Sequence, residues 1–232
     1  MFPIQVNTWC VDTANKVLVA TIGFDERPVI RAILRHGLGF KGILLLKPRE
    51  PDDPRSRRVV ENIRELVDKT GAKTPLIVGE VDVTDFYRAV GEIKSQLAET
   101  MGGRGGDIVL LLGGGMRSLV LETLVAVIQL SNELLVNGVL EVDIEGSTSY
   151  VSARIEDLIP VTITPQERRV LEELDREPAT LSNLSNRLDM PKTTLWKILQ
   201  RLEEKKLVSK EYSGKAIIYK PTSKAYQYLE PR

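Results

Sequence analysis

The hydrophobic pattern of the first two-thirds of the chain alternates between two periods. Short apolar runs such as KVLVATIGF (16–24) and KGILLLK (41–47) have the length and residue types of buried strands. Each run precedes a longer segment with apolar residues three and four positions apart, which predicts an amphipathic helix. Two later runs, TPLIVGEVDV and DIVLLLGGG, continue this alternation. A last pair of runs around the polar turn EGSTS predicts an antiparallel hairpin.

Alternating strands and helices predict an α/β domain, in which a mostly parallel, Rossmann-like sheet carries helices on both faces. If the strand order is 3-2-1-4-5, the winding reverses between the first and fourth strands. Ligands of such sheets bind beyond the carboxyl ends of the strands at that reversal. Two loops are then expected to border a crevice, TIGFDER (21–27) and GGGMR (113–117).

These loops carry the residues of the candidate ligand site. Consecutive glycines let a ligand approach the backbone, and the N–H groups of a helix start favour phosphate. An arginine in a first helical turn opposes the helix dipole unless an anion compensates it. The alternative is a tight structural turn with a solvated arginine. The predicted ligand-binding residues are Gly23, Phe24, Asp25, Glu26, Arg27, Gly113, Gly114, Gly115, Met116, Arg117 and Ser118, and Asp25 is also expected to cap the first helix.

Two common nucleotide motifs do not fit these glycines. Gly113 and Gly115 match the start of G-x-G-x-x-G, but Ser118 stands at the third glycine position. That fingerprint also follows the first strand of its unit, whereas this segment follows the fourth. No G-x-x-x-x-G-K-[ST] segment is present, so the sequence does not favour ATP hydrolysis of the P-loop type.

The last third of the chain predicts three helices followed by a two-stranded hairpin, the pattern of a winged helix-turn-helix module that binds DNA. Its first helix begins with a capping box of Thr164 and Glu167. Trp196 adjoins the apolar stripe of the third helix and is expected to pack, and SKAYQYL is expected to form a closing helix. A winged helix used for protein contacts is the alternative. The predicted DNA-binding residues are Lys192, Thr193, Thr194, Lys197, Arg201, Lys210 and Lys215.

Charge divides the chain in the same way. The 232 residues contain 32 Lys and Arg and 32 Asp and Glu, and the part from residue 164 onward contains 14 of the bases and 10 of the acids. The C-terminal part is therefore basic, as a partner of an anionic molecule would be. We expect a Rossmann-like sensor domain at 1–153, a linker at 154–163 and the winged helix at 164–232.

Several classes of function are disfavoured by composition. A single cysteine, Cys10, and a single histidine, His36, exclude an internal disulfide and argue against a zinc site of Cys and His ligands. His36 is expected to cap the last turn of the first helix. No run approaches the length of a membrane span and no signal peptide begins the chain, so a cytoplasmic protein without membrane contact is expected. Neither a metal nor a resident cofactor is expected.

TIGFDE after the first strand, GGGMRSL after the fourth and the winged helix together resemble the archaeal CRISPR-associated transcriptional regulators. Their sensor is the CRISPR-associated Rossmann fold, abbreviated CARF. The resemblance covers the chain apart from its leader, residues 1–15. It implies a homodimer that binds cyclic oligoadenylate, above all cyclic tetra-adenylate, in a cleft across the two-fold axis, and that binds double-stranded promoter or leader DNA.

Some relatives of this sensor cleave the ring that they bind. Neither loop contains a histidine or lysine that would serve as acid or base, so a regulator is favoured over an enzyme. A ring nuclease with an accessory DNA-binding module is the alternative, and a regulator that senses another nucleotide is a third possibility. The sequence predicts neither the operator nor the sign of regulation.

Overall fold

A computed structural model describes residues 16–229 except 38, 72, 104–105, 135, 145–146 and 215. The leader, Cys10 and the predicted DNA contact Lys215 lie outside the described residues. The chain divides into two compact units, the first ending at Ile159 and the second beginning at Pro160. Among the described residues no helix is long and apolar enough to cross a bilayer.

The first unit is an α/β unit that ends in a hairpin. Its elements are β1 (Lys16–Thr21), α1 (Arg27–His36), β2 (Gly42–Pro48), α2 (Pro54–Lys69), β3 (Leu76–Val81), α3 (Phe86–Met101), β4 (Asp107–Leu111), α4 (Arg117–Leu134), β5 (Asn137–Asp143), β6 (Tyr150–Arg154) and a 3-10 helix (Ile155–Asp157). The strand order is β3-β2-β1-β4-β5-β6. Strands β1 to β5 are parallel and β6 is antiparallel to β5. The Rossmann-like fold, its terminal hairpin and the winding reversal between β1 and β4 are confirmed.

Both faces of this sheet are covered by helices. Val17 and Val19 of β1 pack with α3 and α4, whereas Leu18 and Ala20 pack with α1 and α2. Alternate residues of a strand point to opposite faces, so a strand covered on both sides must be apolar throughout. The uninterrupted apolar runs of the sequence have this cause.

The loops after β1 and β4 pack backbone against backbone. A Cβ atom on Gly23 would lie 2.6 Å from the amide nitrogen of Gly115, and one on Gly113 would lie 2.6 Å from Cβ of Pro28. Gly115 has a φ of +105°, and a Cβ there would lie 2.8 Å from the carbonyl oxygen of Ile22. The glycine run therefore has a structural reason that is independent of any ligand.

The second unit is the winged helix that the sequence predicts. Its elements are α5 (Pro165–Arg176), β7 (Ala179–Thr180), α6 (Leu181–Leu188), α7 (Lys192–Glu204), β8 (Val208–Ser213), β9 (Ala216–Pro221) and a second 3-10 helix (Ser223–Gln227). The capping box is confirmed, since Thr164 Oγ1 accepts a hydrogen bond from the Glu167 amide and Glu167 Oε2 accepts one from the Thr164 amide. The closing segment is a short 3-10 helix and not the longer helix that was expected.

Substitution of Gly113 by alanine should destabilise the first unit. The new Cβ would meet the Pro28 ring, which is fixed to the backbone and cannot rotate away. Such overpacking costs about 1–3 kcal/mol. Native-state hydrogen exchange of the β1 and β4 amides should report this loss.

Gly91→Ala is the matched control for this substitution. Gly91 lies within α3, and apart from the backbone of its own helix and its chain neighbours no described atom lies within 4 Å of the position that its Cβ would occupy. Alanine in a helix interior is favoured over glycine by about 0.5–1 kcal/mol, so this variant should exchange more slowly. Equal exchange rates in the two variants would contradict the packing role of Gly113.

Candidate ligand crevice and DNA-binding face

The two predicted loops border a cavity of about 210 Å³. It lies at the carboxyl ends of β1, β2 and β4, where the strand order reverses. Of the predicted ligand residues, those that line it are Gly23, Phe24, Asp25, Gly113, Gly114, Gly115 and Met116. Arg27 lines a neighbouring cavity of about 500 Å³, whereas Glu26, Arg117 and Ser118 line neither. The structure thus brings the two loops together as the topology predicts.

The start of α1 is occupied by a carboxylate of its own loop. Asp25 Oδ1 accepts hydrogen bonds from the amide of Arg27 at 3.0 Å and from its Nε at 2.9 Å. The hydrogen bond from the Arg27 side chain is the main cause that lowers the pKa of Asp25. The N-cap position is Glu26, whose Oε1 accepts a hydrogen bond from Asn62. Asp25 therefore accepts a hydrogen bond from an amide in the first turn of α1, although it lies one position before the N-cap residue.

The start of α4 is different, because no carboxylate among the described residues accepts a hydrogen bond from its first turn, whereas Asp25 does so at the start of α1. Arg117 is exposed, and it makes no hydrogen bond or ion pair within the described part of the chain. Met116 is 43% exposed beside it, and Ser118 is half-buried. Of the two helix starts that follow the predicted loops, that of α4 therefore presents an arginine that makes no ion pair within the described residues.

A third wall of the cavity was not predicted. It comes from the end of β2, the segment that follows it and the first turn of α2, and it contributes Lys47, Pro48, Pro51, Asp53 and Ser56. The segment follows the strand that neighbours β1, and this position is the signal that could have indicated it. The guanidinium of Arg55, at the start of α2, lies 3.8 Å from the centroid of the Phe24 ring and so joins this segment to the first loop.

Lys47 is the cationic group of this wall. Its side chain is 7% exposed, and its Nζ lies 3.0 Å from Asp52 Oδ1 and 2.9 Å from Glu80 Oε1. Burial opposes its charge, but the hydrogen bonds to Glu80 and Asp52 raise the pKa of Lys47 overall. Lys47 is thus a charged group held by two carboxylates.

His36 does not have the capping role that was expected. It ends α1, and its Nε2 lies 2.7 Å from Glu141 Oε1 on β5.

Within the described ranges no group of three His, Cys, Asp or Glu side chains could hold a metal ion.

The outward face of α7 is the candidate DNA-binding surface. Lys192, Thr193, Thr194 and Lys197 are exposed there, and no hydrogen bond or ion pair joins their side chains to other described residues. Trp196 lies among them and is 46% exposed, so the expectation that it packs is wrong. An exposed indole beside two lysines adds an aromatic contact to this face that sequence position did not indicate.

The other predicted DNA contacts are held by carboxylates of the same unit. Arg201 Nε lies 3.4 Å from Glu167 Oε1, and Lys210 Nζ lies 2.5 Å from Glu203 Oε2. The side chain of Tyr212 on β8 is 74% exposed and was not predicted. The structure therefore distinguishes the unpaired lysines of α7 from the paired cations at its end and on β8.

Comparison with known families assigns both units. Residues 16–154, more than half of the chain, match the family described as the Csa3 CRISPR-associated Rossmann-like domain. The chain belongs to this family. Residues 163–232 match the penicillinase repressor family, whose domain is a winged helix. The Csa3 domain and the winged helix together support a CRISPR-associated transcription regulator.

Proteins of known structure resemble this chain less than these two families do. ZitR from Lactococcus lactis is 19% identical over 30% of this chain and 49% of its own, with a TM-score of 0.29. Protein VC1899 from Vibrio cholerae is 16% identical over 93% of this chain and 64% of its own, with a TM-score of 0.43. The chain thus spans less than two-thirds of either protein, and TM-scores below 0.5 support no argument about function. No curated protein matches the chain.

Glu167 joins the segment before α5 to the end of α7. Its carboxylate is buried and accepts hydrogen bonds from the Thr164 amide and from Lys205 Nζ, the latter at 2.9 Å to both oxygens. Lys205 Nζ also donates to the carbonyl oxygen of Thr162 at 2.9 Å. Burial works to raise the pKa of Glu167, but the hydrogen bonds from Thr164 and Lys205 lower it overall. The entry of the chain into the winged helix is therefore fixed to its third helix.

We predict that Glu167→Gln destabilises the second unit by about 1–3 kcal/mol at pH 7, because Lys205 loses its buried anionic partner. A carboxylate with a lowered pKa stabilises the fold fully above its unfolded value of about 4.3. That contribution disappears as the pH falls through the folded pKa, so the variant should approach the wild type in strong acid.

Urea denaturation followed by Trp196 fluorescence, in a Trp9→Phe background, measures this effect at pH 7 and in the acid range. Glu204→Gln is the matched control, since Glu204 is an exposed carboxylate at the end of α7 in the same unit and makes no ion pair within the described residues. A difference between wild type and Glu167→Gln that stays constant with pH would contradict the assignment.

Proposed function

We propose that the protein is a dimeric, ligand-sensing transcription regulator of CRISPR loci. It binds promoter or leader DNA through the winged helix and cyclic oligoadenylate in the crevice of the Csa3 domain. One observation carries the proposal: a single chain combines a glycine-walled crevice at the strand-order reversal with an exposed helix of unpaired lysines. The first is a place for a nucleotide and the second is a surface for DNA.

The lining of the crevice supports a ligand that contains both bases and phosphates. Phe24, Pro48 and Met116 offer apolar surface, while bare glycine backbone and the start of α4 suit phosphate. Cyclic tetra-adenylate is the expected member of this class. Its ring has two-fold symmetry, and a homodimer would present two copies of the crevice to it.

The winged helix supports binding to double-stranded DNA. The N-terminal half of α7 presents two lysines and two threonines, which are short or cationic groups of the kind that reach base edges and phosphates in the major groove. A two-fold symmetric dimer would read a palindromic operator, with half-sites spaced by about one helical turn.

We propose that the ligand is retained intact. Lys47 is the cation that lines the described part of the crevice. Its ion pairs with Asp52 and Glu80 stabilise its charged form. A lysine in that state is a poor general base. Ring cleavage remains the alternative that the test below addresses.

The test combines two measurements on the purified full-length protein. Incubation with cyclic tetra-adenylate, followed by chromatography, should recover intact ligand bound to a dimer. Mobility shift with DNA from the promoters of the protein's own CRISPR loci should change when the ligand is added. Linear cleavage products would favour the ring nuclease, and absence of binding to any cyclic oligoadenylate would refute the ligand assignment.

Arg117→Ala should weaken cyclic tetra-adenylate binding at least tenfold and leave ligand-free DNA affinity within twofold of the wild type. Arg117 is the exposed cation at the start of α4, and it makes no ion pair with any described residue that its removal would break. Titration calorimetry measures the first quantity and fluorescence anisotropy the second. Arg64→Ala, which removes an exposed arginine in the interior of α2, outside the two loops that border the crevice, is the control. An unchanged dissociation constant for Arg117→Ala would show that this residue lies outside the site.

Lys197→Ala should weaken DNA binding by roughly tenfold at low salt and reduce the slope of log K against log salt by about 1. Arg201→Ala should have a smaller effect, because Arg201 already pairs with Glu167. Anisotropy titrations at several salt concentrations measure both, with Lys73→Ala of the first unit as the charge-matched control. Equal losses in Lys197→Ala and Lys73→Ala would place the DNA elsewhere.

A further inference from the structure

A second cavity lies beside the crevice and has no assigned role. Its volume is about 500 Å³, and it shares Asp25 and Gly113 with the first cavity. On one side it is lined by the first turns of α1, with Arg27 and Arg31. On the other side it is lined by the β5–β6 hairpin, whose members are Asp143, Ile144, Ser147 and Thr148. Residues of both ligand loops and of the hairpin thus meet in one cavity.

The arginines of this cavity are placed to bind an anion together. Arg27 and Arg31 are four residues apart on α1, so their side chains project from the same face of the helix. Both guanidinium groups retain solvent contact, with side-chain exposures of 77% and 31%. Ser147 and Thr148 add polar side chains from the opposite wall. Two arginines on one wall and two hydroxyl-bearing residues on the other form a donor set that suits a phosphate.

Each arginine already has an internal partner. Arg27 pairs with Asp25 at 2.8 Å, and Arg31 pairs with Asp143. A phosphate that binds here must therefore compete with a carboxylate. The pair of Arg27 is exposed and easily exchanged, whereas the side chain of Asp143 is 8% exposed. Leaving the buried carboxylate of Asp143 without a partner would cost free energy. The exchange therefore requires another cation that can pair with Asp143.

A replacement partner is already in place. Asp143 Oδ1 is buried and accepts no hydrogen bond, and Arg35 Nη2 lies 3.8 Å from it. Arg35 is held by an ion pair with Glu141, and its guanidinium lies 4.1 Å from the centroid of the Tyr150 ring. Glu141 in turn contacts His36. A small movement would let Arg35 hold Asp143 when Arg31 leaves.

We propose that this cavity is a phosphate subsite in which Arg31 exchanges Asp143 for the bound anion. The exchange removes an ion pair that joins α1 to β5. Because β5 and β6 form the hairpin that ends the sheet, and β6 leads directly into the segment before the second unit, the exchange changes the restraint on the hairpin when ligand binds. The identity of the anion as a phosphate of cyclic oligoadenylate rests on the proposed function, whereas the subsite itself does not.

The test compares three variants of the full-length protein, namely Arg31→Gln, Asp143→Asn and the control Arg64→Gln. Titration calorimetry with cyclic tetra-adenylate should give at least tenfold weaker binding for Arg31→Gln. It should give several-fold tighter binding for Asp143→Asn, because the competing carboxylate is gone. Arg64→Gln should bind as the wild type does. Thermal melting of each variant establishes that it is folded.

Opposite effects of Arg31→Gln and Asp143→Asn on ligand affinity distinguish the proposed exchange from an ion pair that only supports the fold. If the pair only supports the fold, both Arg31→Gln and Asp143→Asn weaken binding. Unchanged or weaker binding by Asp143→Asn overturns the exchange, and binding by Arg31→Gln within twofold of the wild type overturns the subsite. If Asp143→Asn does not fold, Arg35→Gln replaces it. That variant leaves the cavity lining intact and removes the replacement partner, so affinity should fall several-fold, and unchanged affinity overturns the proposal.

A second probe separates this proposal from the proposed function. Inorganic pyrophosphate should raise the melting temperature of the wild type and of Arg64→Gln, and should not raise that of Arg31→Gln. If the wild type fails to bind cyclic tetra-adenylate, the proposed ligand is wrong and the pyrophosphate result alone decides the subsite. No stabilisation of the wild type by pyrophosphate in that case overturns the subsite.

Discussion

The close approach of the loops after β1 and β4 is the constraint on which the first unit depends. A Cβ atom on Gly23 would meet the amide of Gly115, one on Gly115 would meet the carbonyl of Ile22, and Gly113 lies against Pro28. This contact closes the sheet edge at the strand-order reversal and leaves a cavity beside it. Arg117 and Met116 are placed at the rim because α4 begins directly after the glycines. Crevice and packing are therefore products of the same few residues.

Internal ion pairs divide the cations of the protein into two groups. Lys47, Arg201, Lys205 and Lys210 are held by carboxylates of their own units. Arg117, Lys192 and Lys197 have no such partner among the described residues. A cation that folding leaves without an anion attracts one from solution or from a partner, and these residues lie on the two surfaces to which we assign ligand and DNA. Arg31 fits neither group, because its partner Asp143 has a second arginine, Arg35, at 3.8 Å that could pair with it instead.

Glu167 constrains the winged helix in the way that the contact between the two glycine loops constrains the first unit. Its buried carboxylate fixes the start of α5 and the end of α7 at once, so the segment that enters the unit cannot move without disturbing α7, the helix to which we assign DNA binding. The β5–β6 hairpin and this carboxylate are the elements on either side of the segment that joins the units.

The sequence by itself determined the strand–helix alternation, the capping box and the two glycine-containing loops, whereas it indicated the winding reversal only for an assumed strand order. These are local or nearly local properties, set by apolar periodicity and by glycine and capping residues at fixed spacings. It left the glycines of 113–115 between two readings, a ligand cradle and a tight turn. Tertiary structure decided that they are needed for packing, because the distance from Gly115 to Gly23 depends on β1 and β4 being neighbours.

Tertiary structure alone decided the remaining features of both sites. The wall that contains Lys47, the pairing of His36 with Glu141 and the exposure of Trp196 all depend on which distant segments meet. The same holds for Arg31 and Asp143, which are 112 residues apart in sequence. Charge pairing between distant segments leaves no periodic trace along a chain, so only the fold shows which cations are neutralised and which remain for a partner.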